Sequence, residues 1–249
     1  MSIAAPIALA ENVGLAFLGE AAWAPAILTE RQAEKYVTAP NACGRPNSDV
    51  LRRRLAVVDG ERAESWQIDF PDHFTAHEAA LYEQPFAWLR ERTPHGAWLN
   101  PCANPALRRV LARVSRFLAL PTDASSPDWR WIEEDLLPDA TLLIVARDDD
   151  FTHGVLQSAL FAMWWDAQRT RLDPVQRVES FPFPWPPATA LSALTAMQEE
   201  HRHAIARVTR SEDLEQLNPV VLAAYGWAGD LAEHEMFEKL MALNRQRVV

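Results

Sequence analysis

Residues 179–187 read Glu179-Ser180-Phe181-Pro182-Phe183-Pro184-Trp185-Pro186-Pro187. Four prolines alternate with three aromatics. Proline has no backbone N–H to donate and pushes the residue before it into an extended conformation. The run is therefore neither helix nor central strand. It reads as a stiff strap joining two separately folded parts, with its aromatics docked into one or both. Strand and helix signals mix before it, and only helix signals follow. The fold class that results is α+β: a mixed α/β part, then a small all-α part.

Upstream of the strap, residues 142–146 (LLIVA) are the most apolar run and predict a buried strand. Arg147-Asp148-Asp149-Asp150 ends it, and one helix is predicted from Phe151 or Thr152 through Trp164. Residues 117–120 and 129–132 predict short strands, and Pro105 opens a helix. Thr75 with Glu78 forms a capping box, and Pro85 divides the helical pattern that follows. Trp66, Ile68 and Phe70 alternate as in a strand, and Asp59-Gly60 marks a turn. Thr29 caps a helix from Glu30 to about Val37, and residues 40–47 are a turn cluster. Downstream, the pattern predicts one helix over 188–210, a second from Pro219 to Tyr225 ended by Gly226, and a third from Leu231 to Arg247.

The chain has 249 residues and a formal net charge of −10. That balance gives no general attraction to nucleic acid or to an anionic membrane. Lys35 and Lys239 are its only lysines, so its cations are arginines, which suit bidentate pairing to phosphate, carboxylate or guanine. The ten tryptophans read as packing rather than ligand stacking. Cys43 and Cys102 stand alone, which predicts reduced thiols, no zinc site and a cytoplasmic location. No basic residue precedes Arg31, which argues against a signal peptide, and no uncharged run reaches transmembrane length.

Phosphate-loop, dinucleotide-binding, GxSxG and HExxH patterns are absent. Asp148, Asp149 and Asp150 follow a buried strand and admit two readings. One is a metal site completed by Glu78; the other is strand termination and helix capping. Asn41, Gly44, Arg45, Asn47, Ser48 and Arg52 form a polar cluster on a turn. Arg and Asn read guanine and adenine edges or grip phosphate; the alternative is a turn with a solvated arginine run, Arg52-Arg53-Arg54.

Five blocks in order resemble one family. They are residues 40–52 (PNACGRPNSDVLR), 66–70 with 78–86 (WQIDF, EAALYEQPF), 137–154 (LPDATLLIVARDDDFTHG), the strap, and 221–230 with 240–244 (VLAAYGWAGD, LMALN). Together they resemble the C-terminal third of MmeI-like type II restriction–modification proteins, which join an endonuclease, an adenine-N6 DNA methyltransferase and a target-recognition domain. The resemblance implies an N-terminal extension over 1–12, a DNA target-recognition domain over 13–187 and a helical C-terminal domain over 188–249. It implies double-stranded DNA and a separately encoded methyltransferase or nuclease subunit as partners. The adenine methyltransferase signature is missing, since Asn100-Pro101-Cys102 lacks its second proline and aromatic. No catalytic residue and no cofactor are therefore expected on this chain, with S-adenosylmethionine on the partner alone. Candidate DNA contacts are Asn41, Arg45, Asn47, Ser48, Arg52 and Arg130. The chain departs from the family at 120–128, which carries two aspartates and no basic residue. A protein-interaction or assembly protein that keeps the fold without reading DNA is the alternative.

Overall fold

The computed structural model describes residues 5–133, 135–211, 213–229 and 231–248. Its strands are β1 (Ala16–Leu18), β2 (Ile27–Leu28), β3 (Leu51–Val58), β4 (Glu61–Ile68), β5 (Phe117–Pro121), β6 (Arg130–Ile132), β7 (Leu136–Pro138) and β8 (Leu142–Val145). Its helices are α1 (Glu30–Thr38), α2 (Ala76–Ala80), α3 (Glu83–Arg92), α4 (Pro105–Leu111), α5 (Asp150–Gln157), α6 (Ala159–Ala167), α7 (Pro174–Glu179), α8 (Ala196–Ser211), α9 (Leu214–Ala224) and α10 (Glu233–Arg247). The fold is α+β, and the chain divides into two compact units. The smaller takes Leu18–Arg108 with residues 135–142. The larger takes the chain up to Phe17, Arg109–Glu133, and everything from Leu143.

The smaller unit is built on a sheet in the order β2-β4-β3-β7. β3 and β4 pair antiparallel from Leu51↔Ile68 to Val58↔Glu61, leaving only Asp59 and Gly60 to turn the chain. Both have positive φ, 52° and 81°, as a tight hairpin with strand-matching twist requires. β7 joins parallel to β3, and β2 antiparallel to β4. Thr29 caps α1 and Thr75 caps α2, each with a reciprocal bond from the residue three places on, Gln32 and Glu78. The helical pattern around Pro85 divides into α2 and α3, as its sequence predicts.

The core of this unit includes a buried ionic network. Arg54, 2 % exposed, pairs with Asp139, and donates to Gln67 Oε1 at 2.7 Å and the Glu20 carbonyl at 2.9 Å. Arg108 reaches Glu20 at 2.6 and 2.7 Å and Asp69 at 2.9 and 2.8 Å. Burial opposes the Arg108 charge, but the bonds to Glu20 and Asp69 outweigh it and raise its pKa. Gly19 lies where the backbone bridge Glu20↔Asp139 forms, and a Cβ there would sit 2.1 Å from the Asp139 carbonyl oxygen.

The larger unit carries a sheet in the order β1-β8-β5-β6. All four residues of β8 are buried, as the LLIVA run predicts. The single helix expected through Trp164 is instead two. Ser158 turns extended at ψ 154°, its hydroxyl accepts from Phe161 N, and α6 starts afresh. α7 adds to the expected elements; Asp173, Pro174 and Gln176 supply its cap, first-turn proline and reciprocal bond. The helix expected from 188 begins at Ala196, because Thr195 and Gln198 form its cap. The helix expected from Pro219 begins at Leu214, capped by Asp213, with Pro219 accommodated inside.

The strap lies within this unit. Phe181 and Phe183 are fully buried, and Trp185 stacks on Phe151 with centroids 4.7 Å apart. Phe161 and Trp164 of α6 meet Phe181 edge-on. An extended proline run leaves carbonyls without ladder partners. Here side chains from distant segments donate to them: Asn244 to Ser180, Asn12 to Phe181, Tyr225 to Pro182, and Arg247 to Phe183 and Pro184. One core therefore takes in β8, α5, α6, the strap and α8 to α10.

Candidate functional site

In the smaller unit, the polar turn after α1 is braced by the two asparagines expected to contact DNA. Asn47 is fully buried and donates to the Tyr36 carbonyl at 2.8 Å and the Ala39 carbonyl at 3.2 Å, closing the end of α1. Asn41 donates to Asn47 Oδ1 at 2.8 Å and to the Arg45 carbonyl at 2.7 Å, and accepts from Glu83 N. Their amides are engaged inside the turn, and Arg45 and Ser48 are among the exposed residues it displays. Tyr82 donates to Asp49 at 3.0 Å; burial and that bond raise its pKa, while the Arg45 charge opposes them. Arg52, at the start of β3, is 42 % exposed and lies 2.9 Å from Asp135 and 3.6 Å from Asp69.

In the larger unit, Arg130 stands on β6 at the rim of a cleft of about 410 Å³. Its side chain is 75 % exposed and pairs at 2.6 Å with Asp128, itself 58 % exposed. β6 and its approach supply Trp129, Arg130 and Trp131. α5 supplies His153 and Gln157, α8 supplies Val208 and Thr209, and the start of α9 supplies Asp213 and Leu217. The close approach of α5 to α8 depends on Gly154, where a Cβ would lie 2.2 Å from Thr209 Oγ1 and 2.6 Å from Ile205 Cγ2.

Gln157 donates to the Trp129 carbonyl at 2.7 Å, and His153 Nε2 lies 3.3 Å from both that oxygen and Gln157 Nε2. Burial holds the His153 pKa below its ordinary value, more strongly than the Trp129 carbonyl and the Asp150 charge raise it. At neutral pH the cleft thus presents a neutral imidazole. Trp131 meets the His153 ring edge-on at 5.0 Å and carries the Arg116 guanidinium over its own ring at 3.8 Å. Trp129 is fully buried, and its indole N–H has no acceptor among the described residues. Sequence reasoning found Arg130 here but missed His153, Gln157 and Thr209. The alternation Trp129-Arg130-Trp131 and the four-residue spacing of His153 and Gln157 were the available signals.

The acidic run after β8 does not converge on a metal. Asp149 caps α5 through Thr152 N at 2.8 Å and pairs with Arg147. Asp150 bridges Arg116 and Arg210, each at 2.6 Å. Burial raises its pKa, but the Arg210 bond and the Arg116 charge outweigh this and hold it below the usual carboxylate range. Glu78 belongs to the other unit and closes the Thr75 cap. Among the described residues no three His, Cys, Asp or Glu side chains gather as metal ligands, and no helix is long and apolar enough to cross a membrane.

No protein-family model matches this chain, and no curated protein matches it in sequence. In structure the chain is similar to the type IIL restriction-modification enzyme MmeI, solved in complex with DNA, with a TM-score of 0.54 and 12 % identity. The likeness covers 98 % of this chain and 36 % of that enzyme, so the chain spans about a third of its structural relative. At this identity the likeness establishes the fold.

Proposed function

We propose that this chain is a DNA target-recognition module of an adenine-N6 restriction–modification methyltransferase, without catalytic domains of its own. The observation that carries this reading is the fold likeness over nearly the whole chain to an enzyme solved on DNA. In this reading residues 13–187 recognise the target and residues 188–249 form the C-terminal helical part. A separately encoded methyltransferase or nuclease subunit does the chemistry and holds S-adenosylmethionine. Arg45, Ser48 and Arg52 contact DNA from the smaller unit and Arg130 from the larger. Asn41 and Asn47 hold the turn that displays the first two.

The test is fluorescence anisotropy of a labelled duplex library at several salt concentrations. Arg45→Ala, Arg52→Ala and Arg130→Ala are each expected to weaken binding. Each should also flatten the salt slope by about 1 for every phosphate it no longer neutralises. Unchanged affinity and slope in all three would sink the reading.

One observation favours a second reading, a protein-interaction or assembly protein that keeps the fold. Arg52 and Arg130 already face exposed carboxylates, Asp135 and Asp128, in a chain of net charge −10. Nuclease-treated pull-down separates the two. Recovery of a methyltransferase subunit supports the first reading, and a different partner held without DNA supports the second.

A further inference from the structure

The cleft beside β6 has features that duplex contact by Arg130 alone does not use. Its volume of about 410 Å³ falls within the small-ligand range. Its polar groups are partly uncommitted. Gln157 Nε2 is directed to the Trp129 carbonyl and His153, which leaves Oε1 as an acceptor for a ligand. Thr209 donates to the Ile205 carbonyl at 2.8 Å, so its hydroxyl oxygen can still accept. A ligand matched to this lining has a flat aromatic body and an edge that carries hydrogen-bond donors. Arg130 adds a forked cation at the rim, paired with a solvent-exposed aspartate. A guanidinium so placed suits one phosphate. His153, kept neutral by burial, lets the interior take an uncharged ring.

We infer that this cleft binds a nucleotide, with the base beside Trp131 and against Gln157 and Thr209, and the phosphate on Arg130. Two sources share that chemistry: a free mononucleotide and an unpaired base within DNA. Only the second rests on the proposed DNA-recognition function.

The test uses the full chain and four deoxynucleoside monophosphates, read by tryptophan fluorescence and calorimetry. At least one is expected to bind with Kd below about 1 mM. Arg130→Ala should weaken the monophosphate by about tenfold and leave the corresponding nucleoside unchanged, because the guanidinium grips the phosphate alone. Trp131→Leu and Gln157→Ala should weaken both. Arg130 is exposed, so its replacement keeps the fold and the comparison remains decisive. A duplex with a bulged 2-aminopurine, beside its fully paired counterpart, separates the sources. Preferential binding of the bulge with a fluorescence change assigns the cleft to an unpaired base. Monophosphate binding without it assigns the cleft to a free nucleotide. If paired duplex binds while neither monophosphate nor bulge engages the cleft, the inference falls and the recognition function stands. If no nucleotide or duplex binds, both fall.

Discussion

The two compact units solve the problem of burial differently. The larger fills its interior with rings: Trp129, Trp164, Trp165, Phe161, Phe181 and Phe183 are its largest fully buried side chains. The smaller buries Arg54, and surrounds it and Arg108 with Asp139, Asp69, Glu20 and Gln67. Apolar packing is non-directional and tolerates changes that preserve volume. A buried ionic network is directional, and each charge depends on its partner staying in place. The larger unit is thus specified by shape, and the smaller by matched charges added to an apolar core of its own around Ile68, Phe70, Tyr82 and Leu89.

Breaking each core at its centre should produce the largest losses and distinguish the two kinds. Phe181→Ala should cost about 3–5 kcal/mol in denaturant unfolding, and Phe181→Leu much less, since it restores most of the volume. Arg54→Met should cost about 3–5 kcal/mol, because it strands Asp139 in a buried site. Adding Asp139→Asn should recover most of that loss, while a volume-restoring change elsewhere should not. Hydrogen exchange assigned to each unit will show which one opens in each variant.

A smaller effect tests the close helix approach in the larger unit. Gly154→Ala places a methyl group against Thr209 and Ile205 and should cost about 1–3 kcal/mol. Thr209→Ala in the same background should return part of it.

Smaller still is a pH effect on that unit. His153 has a lowered pKa in the folded chain, so folding favours its neutral form. Its contribution is complete above the unfolded value near pH 6.5 and declines as pH falls from there through the folded value. Midpoint against pH, compared between the native chain and His153→Gln, should show that decline only in the former.

The smallest effect belongs to the surface. Arg130→Ala should change stability by no more than about 0.5 kcal/mol, since its ion pair is exposed. A larger loss would mean that the rim arginine supports the fold as well as any ligand.

Legibility followed the range of the interactions. Thr29 with Gln32, Thr75 with Glu78, and Asp59-Gly60 act within four residues, and each was visible in sequence. The break at Ser158 was not. Neither proline nor glycine marks it, and the apolar spacing runs through it. Residues 188–194 are helix-friendly in composition, yet the Thr195 cap with Gln198 sets the start of α8. At α9, the Asp213 cap overrode the start suggested by Pro219. The turn cluster expected at 40–47 lies between α1 and β3. Whether an asparagine amide turns outward or back onto a carbonyl depends on neighbours such as Tyr36 and Glu83, and no residue count reveals that. The cleft needed β6, α5, α8 and α9 together, so only Arg130 of its polar lining was named in advance.

The strap also orders events in time. Its carbonyls are met by Asn244 and Arg247, some sixty residues further along the chain. Domains emerging from a ribosome tend to fold as units, N-terminal first. The smaller unit has all its strands once residue 142 has emerged. The larger must leave the Ser180, Phe183 and Pro184 carbonyls without their side-chain donors until α10 is made. Throughout that interval the part of the core that Leu240 and Met241 cover stays open. A helix at the far end of the chain therefore decides when the central core can close.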